Sequence, residues 1–197
     1  MVIGTSSAFR EEMLRRYFSG AFENFVTIPP DVNEKEYRAD DPVKMTEEIA
    51  RAKMKAVLEK VKRLLPAEAA HGVVVTFDQV AVKDGEIREK PISKEENREF
   101  LASYSGSSVK TVSTYIVYSL DTTVMAVGHQ ETETFFSPFG NDVIDRIIER
   151  GASMNAAGGF VVEDPDLSQH VLRVSGTLDG VRGMDPALVG SLLVNVE

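Results

Sequence analysis

Asp78 is the residue in this chain whose setting most demands a chemical reason. It lies in the stretch 72–91, GVVVTFDQVAVKDGEIREKP, inside a β-branched and apolar run. Val73, Val74, Val75, Phe77, Val80 and Val82 give the near-continuous hydrophobicity of a strand covered on both faces, where a carboxylate is desolvated at a cost of several kcal/mol unless cations or donors meet it. Asp78 is then either a structural aspartate bonded to backbone donors at a sheet end, or a group held for work on a ligand. Three cations stand in settings that suit an anionic ligand. Lys53 falls four residues from both Ile49 and Val57, on the apolar side of a helix, where it either snorkels outward or meets an anion. Arg10 is the third helical position after Ser7, where a capping box has Glu or Gln; a cation at that positive helix end is solvated or has an anion beside it. Lys90 precedes Pro91 at the end of the central hairpin. With the loop Thr5-Ser6-Ser7, whose backbone N–H groups open a helix, the set suits phosphate.

The elements that must position these groups follow from pattern. Residues 1–4 read as a short strand that breaks into the serine loop and a helix over 8–18. A second strand over 25–28 ends at Pro29-Pro30, and an acidic loop carries Asp31, Asn33, Glu34 and Glu36. Asp41-Pro42 opens a helix with a buried stripe of Ala50, Met54, Val57, Val61 and Leu64, running to about Leu65 before Pro66 ends it. Lys83-Asp84-Gly85 signals a tight turn, with a return strand over 86–91. Ser93 to Glu96 reads as a capping box starting a helix to about Tyr104. The runs 109–120 and 123–136 read as an antiparallel pair long enough to form a second sheet region or lobe, and 141–150 as a helix closed by Gly151. Ala156-Ala157-Gly158-Gly159 suits close backbone approach by a ligand or another strand. Short strands at 160–162 and 170–174, a turn at 180–183 and a last helix from Asp185-Pro186 to Val194 complete the chain.

At 197 residues with 43% hydrophobic content, the chain reads as one domain, 1–197, with a substantial core. A net charge of −9 argues against a general nucleic-acid or anionic-membrane binder. With no cysteine there is neither a disulfide framework nor a thiolate metal site. The start lacks a charged region followed by a long apolar run, and no run approaches the roughly 18 apolar residues of a membrane span, so the default location is cytoplasmic. The sequence contains no GxxxxGK[ST] or GxGxxG loop, no GxSxG elbow and no helical zinc pair among its three histidines.

In order and spacing, these parts resemble the Maf family of nucleoside triphosphate pyrophosphatases. The resemblance runs from Ile3 to about Leu193. It rests on Gly4-Thr5-Ser6-Ser7-Ala8-Phe9-Arg10, Pro30-Asp31-Val32-Asn33-Glu34, Ile49-Ala50-Arg51-Ala52-Lys53 and Thr76-Phe77-Asp78-Gln79-Val80. Further blocks are Gly85-Glu86 through Lys90-Pro91, Ser105-Gly106, Glu131-Thr132-Glu133-Thr134 and Ala157-Gly158-Gly159-Phe160. It implies an α/β fold of the inosine triphosphatase-like kind, an elongated mixed β-sheet with flanking helices and a cleft between two lobes. It also implies a homodimer and hydrolysis of a nucleoside triphosphate to the monophosphate and pyrophosphate with a divalent cation, Mg2+ or Mn2+. In that picture Asp78 takes the proton of the attacking water or holds the metal, which Glu34 shares. Arg10, Lys53, Lys90 and the N–H groups near Ser6 and Ser7 clamp the phosphates. The chain departs from the common pattern at Ala8-Phe9-Arg10, where many members have Pro-Arg-Arg, and within Ser108-Val109-Lys110, where a histidine is frequent. Phe9, Gln79 and Glu163 correspond to positions with which specificity varies. The trio is more similar to the branch acting on 7-methyl-GTP than to the dTTP/UTP branch, which tends to carry Arg, Thr and Gln. A methylated guanine is cationic, so an aromatic at Phe9 suits stacking and a carboxylate at Glu163 suits its charge.

Overall fold

A computed structural model describes residues 1–64 and 71–197. The chain divides into two compact units, one of Met1–Asp78, Ser113–His129 and Met184–Glu197, the other of Gln79–Val112 and Gln130–Gly183. Strands β1 (Val2–Gly4), β2 (Val26–Thr27), β3 (Val73–Lys83), β4 (Glu86–Arg88), β5 (Ser108–Ser119), β6 (Met125–Phe136) and β7 (Val171–Ser175) join one seven-stranded sheet among the described residues. Its order is β2-β1-β3-β5-β6-β7, with β4 also paired to β3. β1 runs parallel to β2 and β3, whereas β4 returns antiparallel along β3 and β7 antiparallel along β6, so the sheet is mixed. Around it lie helices α1 (Ala8–Phe18), α2 (Pro42–Leu64), α3 (Lys94–Tyr104), α4 (Asn141–Arg150), the single turn α5 (Leu178–Val181) and α6 (Pro186–Val194). No helix of the described residues is long and apolar enough to cross a membrane.

The first unit is layered because β3 alternates two apolar faces. Val73, Val75 and Phe77 join Tyr115 and Val117 of β5 in a cluster closed by Met13 and Leu14 of α1 and Val189 and Leu192 of α6. Val74 and Ile116 face the other way, onto Ala50, Met54, Val57 and Val61 of α2. In the second unit Ala81, Val109 and Phe136 pack with Leu101 and Tyr104 of α3 and with Val143, Ile144, Ile147 and Ile148 of α4.

Several expected elements take another form. β5 and β6, expected as a second sheet region or lobe, continue the same sheet as β3. The second strand shortens to Val26–Thr27, and the return strand ends at Arg88 because the Glu89 carbonyl accepts from Gly158 N at 2.9 Å. Residues 160–162 form no strand. Gly158 and Gly159, at φ 68° and 67°, wind the approach into a 3-10 turn, Ala157–Gly159, which an extended ladder does not accommodate. The turn expected at 180–183 begins as helix α5, capped by Thr177 accepting from Gly180 N. At α3 the Ser93 side chain accepts from Glu96 N at 3.1 Å, but Glu96 turns to Ile92 N at 2.6 Å, so the capping is not reciprocal. The expected helix stop at Leu65-Pro66 lies outside the described residues.

The close approach expected of the small-residue stretch is made by the chain itself. A Cβ on Gly158 would stand 2.4 Å from Ala81 Cβ, and the Gly158 carbonyl accepts from Tyr104 Oη at 2.8 Å. Gly158→Ala therefore combines a positive φ with an unyielding neighbour. It is expected to cost about 2–4 kcal/mol in urea unfolding; a loss under about 1 kcal/mol would mean that the turn relaxes freely.

Candidate active site

Asp78 follows Thr76 by two residues and so shares the β3 face covered by α2. β3 pairs with β1 through Thr76 and with β4 from Ala81, which leaves residues 77–80 outside both ladders. The Asp78 side chain is buried, and its Oδ1 accepts from Lys53 Nζ at 2.7 Å. Lys53 is carried by the buried stripe of α2, between Ala50 and Met54 on one side and Val57 on the other. It does not snorkel outward: the residue is 7% exposed, and its Nζ also lies 2.6 Å from Glu34 Oε1. Glu34 opens a 3-10 turn, Glu34–Glu36, in the loop after β2. Asn33 Nδ2 donates to Glu36 Oε1 at 2.9 Å within that turn, and Lys60 fixes the loop's start by donating to Pro29 O at 2.6 Å and pairing with Asp31. One ammonium thus serves two carboxylates, one on a rigid strand and one on a loop.

The electrostatics of the first unit follow from this burial. Desolvation pushes the Asp78 carboxyl above the usual carboxylate range, with Glu34 adding to the rise and Lys53 and Arg10 opposing it. Arg10 occupies the predicted position, its N–H donating to the Ser7 cap at 3.4 Å, and its guanidinium lies over the Phe77 ring at 5.0 Å from the centroid. Burial lowers the Arg10 pKa, and Asp78, Tyr115 and Glu34 pull it back. Among the described residues its guanidinium makes no hydrogen bond or ion pair, so a charged, forked donor is left for a ligand. Burial pushes the Tyr115 hydroxyl up to about 12; it remains protonated and accepts from Asp185 N at 3.2 Å.

The structure brings Arg10, Glu34, Lys53 and Asp78 together within the first unit. Ser6 is exposed, but Ser7 N is already engaged with Thr5 Oγ1 at 3.0 Å, so fewer loop amides are open than the sequence suggests. Phe9 is 40% exposed, its ring open to a ligand. In the second unit Lys90 is exposed, without a hydrogen bond or ion pair among the described residues. Gln79 and Glu163 converge on one segment. Gln79 Nε2 donates to Gly180 O at 2.9 Å and Val181 O at 3.3 Å, and Glu163 pairs with Arg182, which also reaches Asp179 at 3.1 Å. Sequence reasoning missed Arg182 and Tyr115. Nothing local marks Arg182 as the partner of an acid 19 residues away, and Tyr115 is one of several hydroxyl residues in β5, so its type does not single it out.

The donor chemistry fits a small, hard cation. Among the described residues no group of three or more His, Asp or Glu side chains converges, which argues against an all-protein cage. Two carboxylates that reach one point are what Mg2+ takes from a protein when phosphate oxygens and water complete its shell.

Fold and site define a mixed-sheet α/β protein with a buried carboxylate, two cations and a loop carboxylate gathered on one unit. The model of the Maf-like protein family matches residues 1–196. The chain is 30% identical over 199 residues to the 7-methyl-GTP pyrophosphatase of Dictyostelium discoideum, covering 100% of this chain and 97% of that one. It is 28% identical over 163 residues to the dTTP/UTP pyrophosphatase of Clostridium tetani, covering 82% of this chain and 80% of that one. The structure of the Staphylococcus aureus Ham1 protein overlays on 68% of this chain and 70% of its own, with a TM-score of 0.42 and 15% identity. The chain belongs to the Maf-like protein family.

Proposed function

We propose that this protein is a nucleoside triphosphate pyrophosphatase, cleaving between the α- and β-phosphorus to give the monophosphate and pyrophosphate. The observation that carries the reading is the sharing of Lys53 by Asp78 and Glu34, with the uncommitted Arg10 guanidinium alongside. In the ligand-free protein Oδ1 of Asp78 is held by Lys53, and no hydrogen bond among the described residues engages Oδ2. Oδ2 accepts a proton from water as the water oxygen bonds to the α-phosphorus. The bond to the bridging oxygen breaks and its electron pair leaves with pyrophosphate. Burial raises the basicity of Asp78, and Arg10 and Lys53 offset charge on the leaving group. Glu34 and Asp78 would hold a divalent cation, which supplies polarisation of the phosphoryl oxygens and neutralisation of the pyrophosphate.

At the level of the base, the reading is 7-methyl-GTP. It is supported by the exposed aromatic at Phe9, which offers a π face to a cationic purine, and by the Dictyostelium relative. The Clostridium relative favours dTTP and UTP as the second reading. Because Glu163 is already paired with Arg182, a ligand cation would compete for a partly satisfied carboxylate. A panel of nucleoside triphosphates, with pyrophosphate and orthophosphate assayed separately, tests both levels. Pyrophosphate as product and a higher kcat/KM for 7-methyl-GTP than for dTTP are expected, with Glu163→Gln moving that ratio toward dTTP and UTP. Orthophosphate alone would remove the pyrophosphatase reading; a preference for dTTP would remove only the assignment of the base.

A further inference from the structure

Lys53 Nζ lies 2.7 Å from Asp78 Oδ1 and 2.6 Å from Glu34 Oε1. Two carboxylate oxygens from different elements, converging on one point, is the arrangement a divalent ion takes from a protein. Here the point is filled by an ammonium on a side chain that is itself buried. The trio carries two negative charges and one positive. A metal ion seeking the same two oxygens meets a cation already there, and displacing it means breaking a buried ion pair. Arg10, the other cation near the pair, adds to the repulsion.

We infer that the Lys53 ammonium occupies, in the ligand-free protein, the divalent-cation position between Glu34 and Asp78, so that lysine and metal compete for the same two oxygens. The protein alone then holds Mg2+ or Mn2+ weakly. The oxygens are released when an anion such as a triphosphate takes the ammonium as its partner, so metal and nucleotide arrive together and the metal does not wait in an empty site. The inference rests on reading Glu34 and Asp78 as the metal-holding pair.

Lys53→Met keeps the unbranched stem and removes the charge. With the full chain and no nucleotide, free Mn2+ is followed by electron paramagnetic resonance during titration. The variant is expected to bind Mn2+ about tenfold or more tightly than the unmutated protein, and Lys53→Met combined with Glu34→Gln is expected to lose that gain. Equal affinity in Lys53→Met and the unmutated protein overturns the inference, as does a gain that survives Glu34→Gln. If Lys53→Met does not fold in chelator, thermal unfolding over a Mn2+ series decides. Restoration of a cooperative transition by Mn2+ supports competition, and its absence overturns it. Turnover of nucleoside triphosphates by the unmutated protein is assayed in parallel. Turnover without the affinity gain defeats the competition alone, and the gain without turnover defeats the proposed function alone.

Discussion

Asp78→Asn should leave a folded protein that binds nucleoside triphosphate and turns it over at least about 10³-fold more slowly, the scale of losing a general base together with a metal-holding charge. The substitution keeps the size of the side chain, and its Oδ1 still accepts from Lys53, whose charge keeps Glu34 as partner. Stability should hold or rise at pH above the folded pKa of Asp78. Burial raises the folded-state pKa of Asp78, so its contribution to stability is complete below the unfolded carboxyl pKa and is lost as pH rises through the folded value. Above that value the folded state contains a desolvated charge, which asparagine removes. Circular dichroism melting, triphosphate binding by calorimetry and a pyrophosphate assay read the three quantities. Turnover near that of the unmutated protein would end the assignment of Asp78, and a large fall in melting temperature would mark it as a structural aspartate.

Lys53→Ala is the second large effect, and there the structure changes what the sequence suggests. From sequence, Lys53 faces ligand more than core, so its loss should weaken triphosphate binding more than folding. In the fold it is buried beside two carboxylates, and removing it strands Asp78 without its nearest counter-charge. A loss of about 3–5 kcal/mol at pH where Asp78 is ionised is expected in addition to weakened triphosphate binding, as for other broken buried pairs. The penalty should shrink as pH falls through the raised folded pKa of Asp78, because a protonated carboxyl needs no counter-charge. Urea unfolding at several pH values measures it. A penalty independent of pH would show that Lys53 contributes packing by its stem and not charge.

Much of this was legible in the residues, for identifiable reasons. The apolar run through β3 made the burial of Asp78 readable, and helical spacing put Lys53 on the inner side of α2. The Ser7 cap and Asp185-Pro186 gave the starts of α1 and α6, because capping is local chemistry. What failed was non-local. The loss of a strand at 160–162 depends on how Gly158 meets Ala81 and Glu89. The engagement of Glu163 by Arg182 and of Ser7 N by Thr5 depends on side-chain geometry that spacing does not encode.

The two carboxylates that share Lys53 differ in what surrounds them. Asp78 is fixed in a strand whose neighbours form the core, while Glu34 stands on a largely exposed 3-10 turn tied down by Lys60 through Pro29 and Asp31. In evolutionary terms, the strand half of the pair has little freedom to drift, since almost any change there disturbs packing. The loop half can lengthen, shorten or exchange its acid with little harm to the fold. Divergence of catalytic behaviour among descendants of such a chain should therefore enter through residues 29–41, and directed libraries confined to that loop should yield folded proteins of altered activity more often than libraries built around β3.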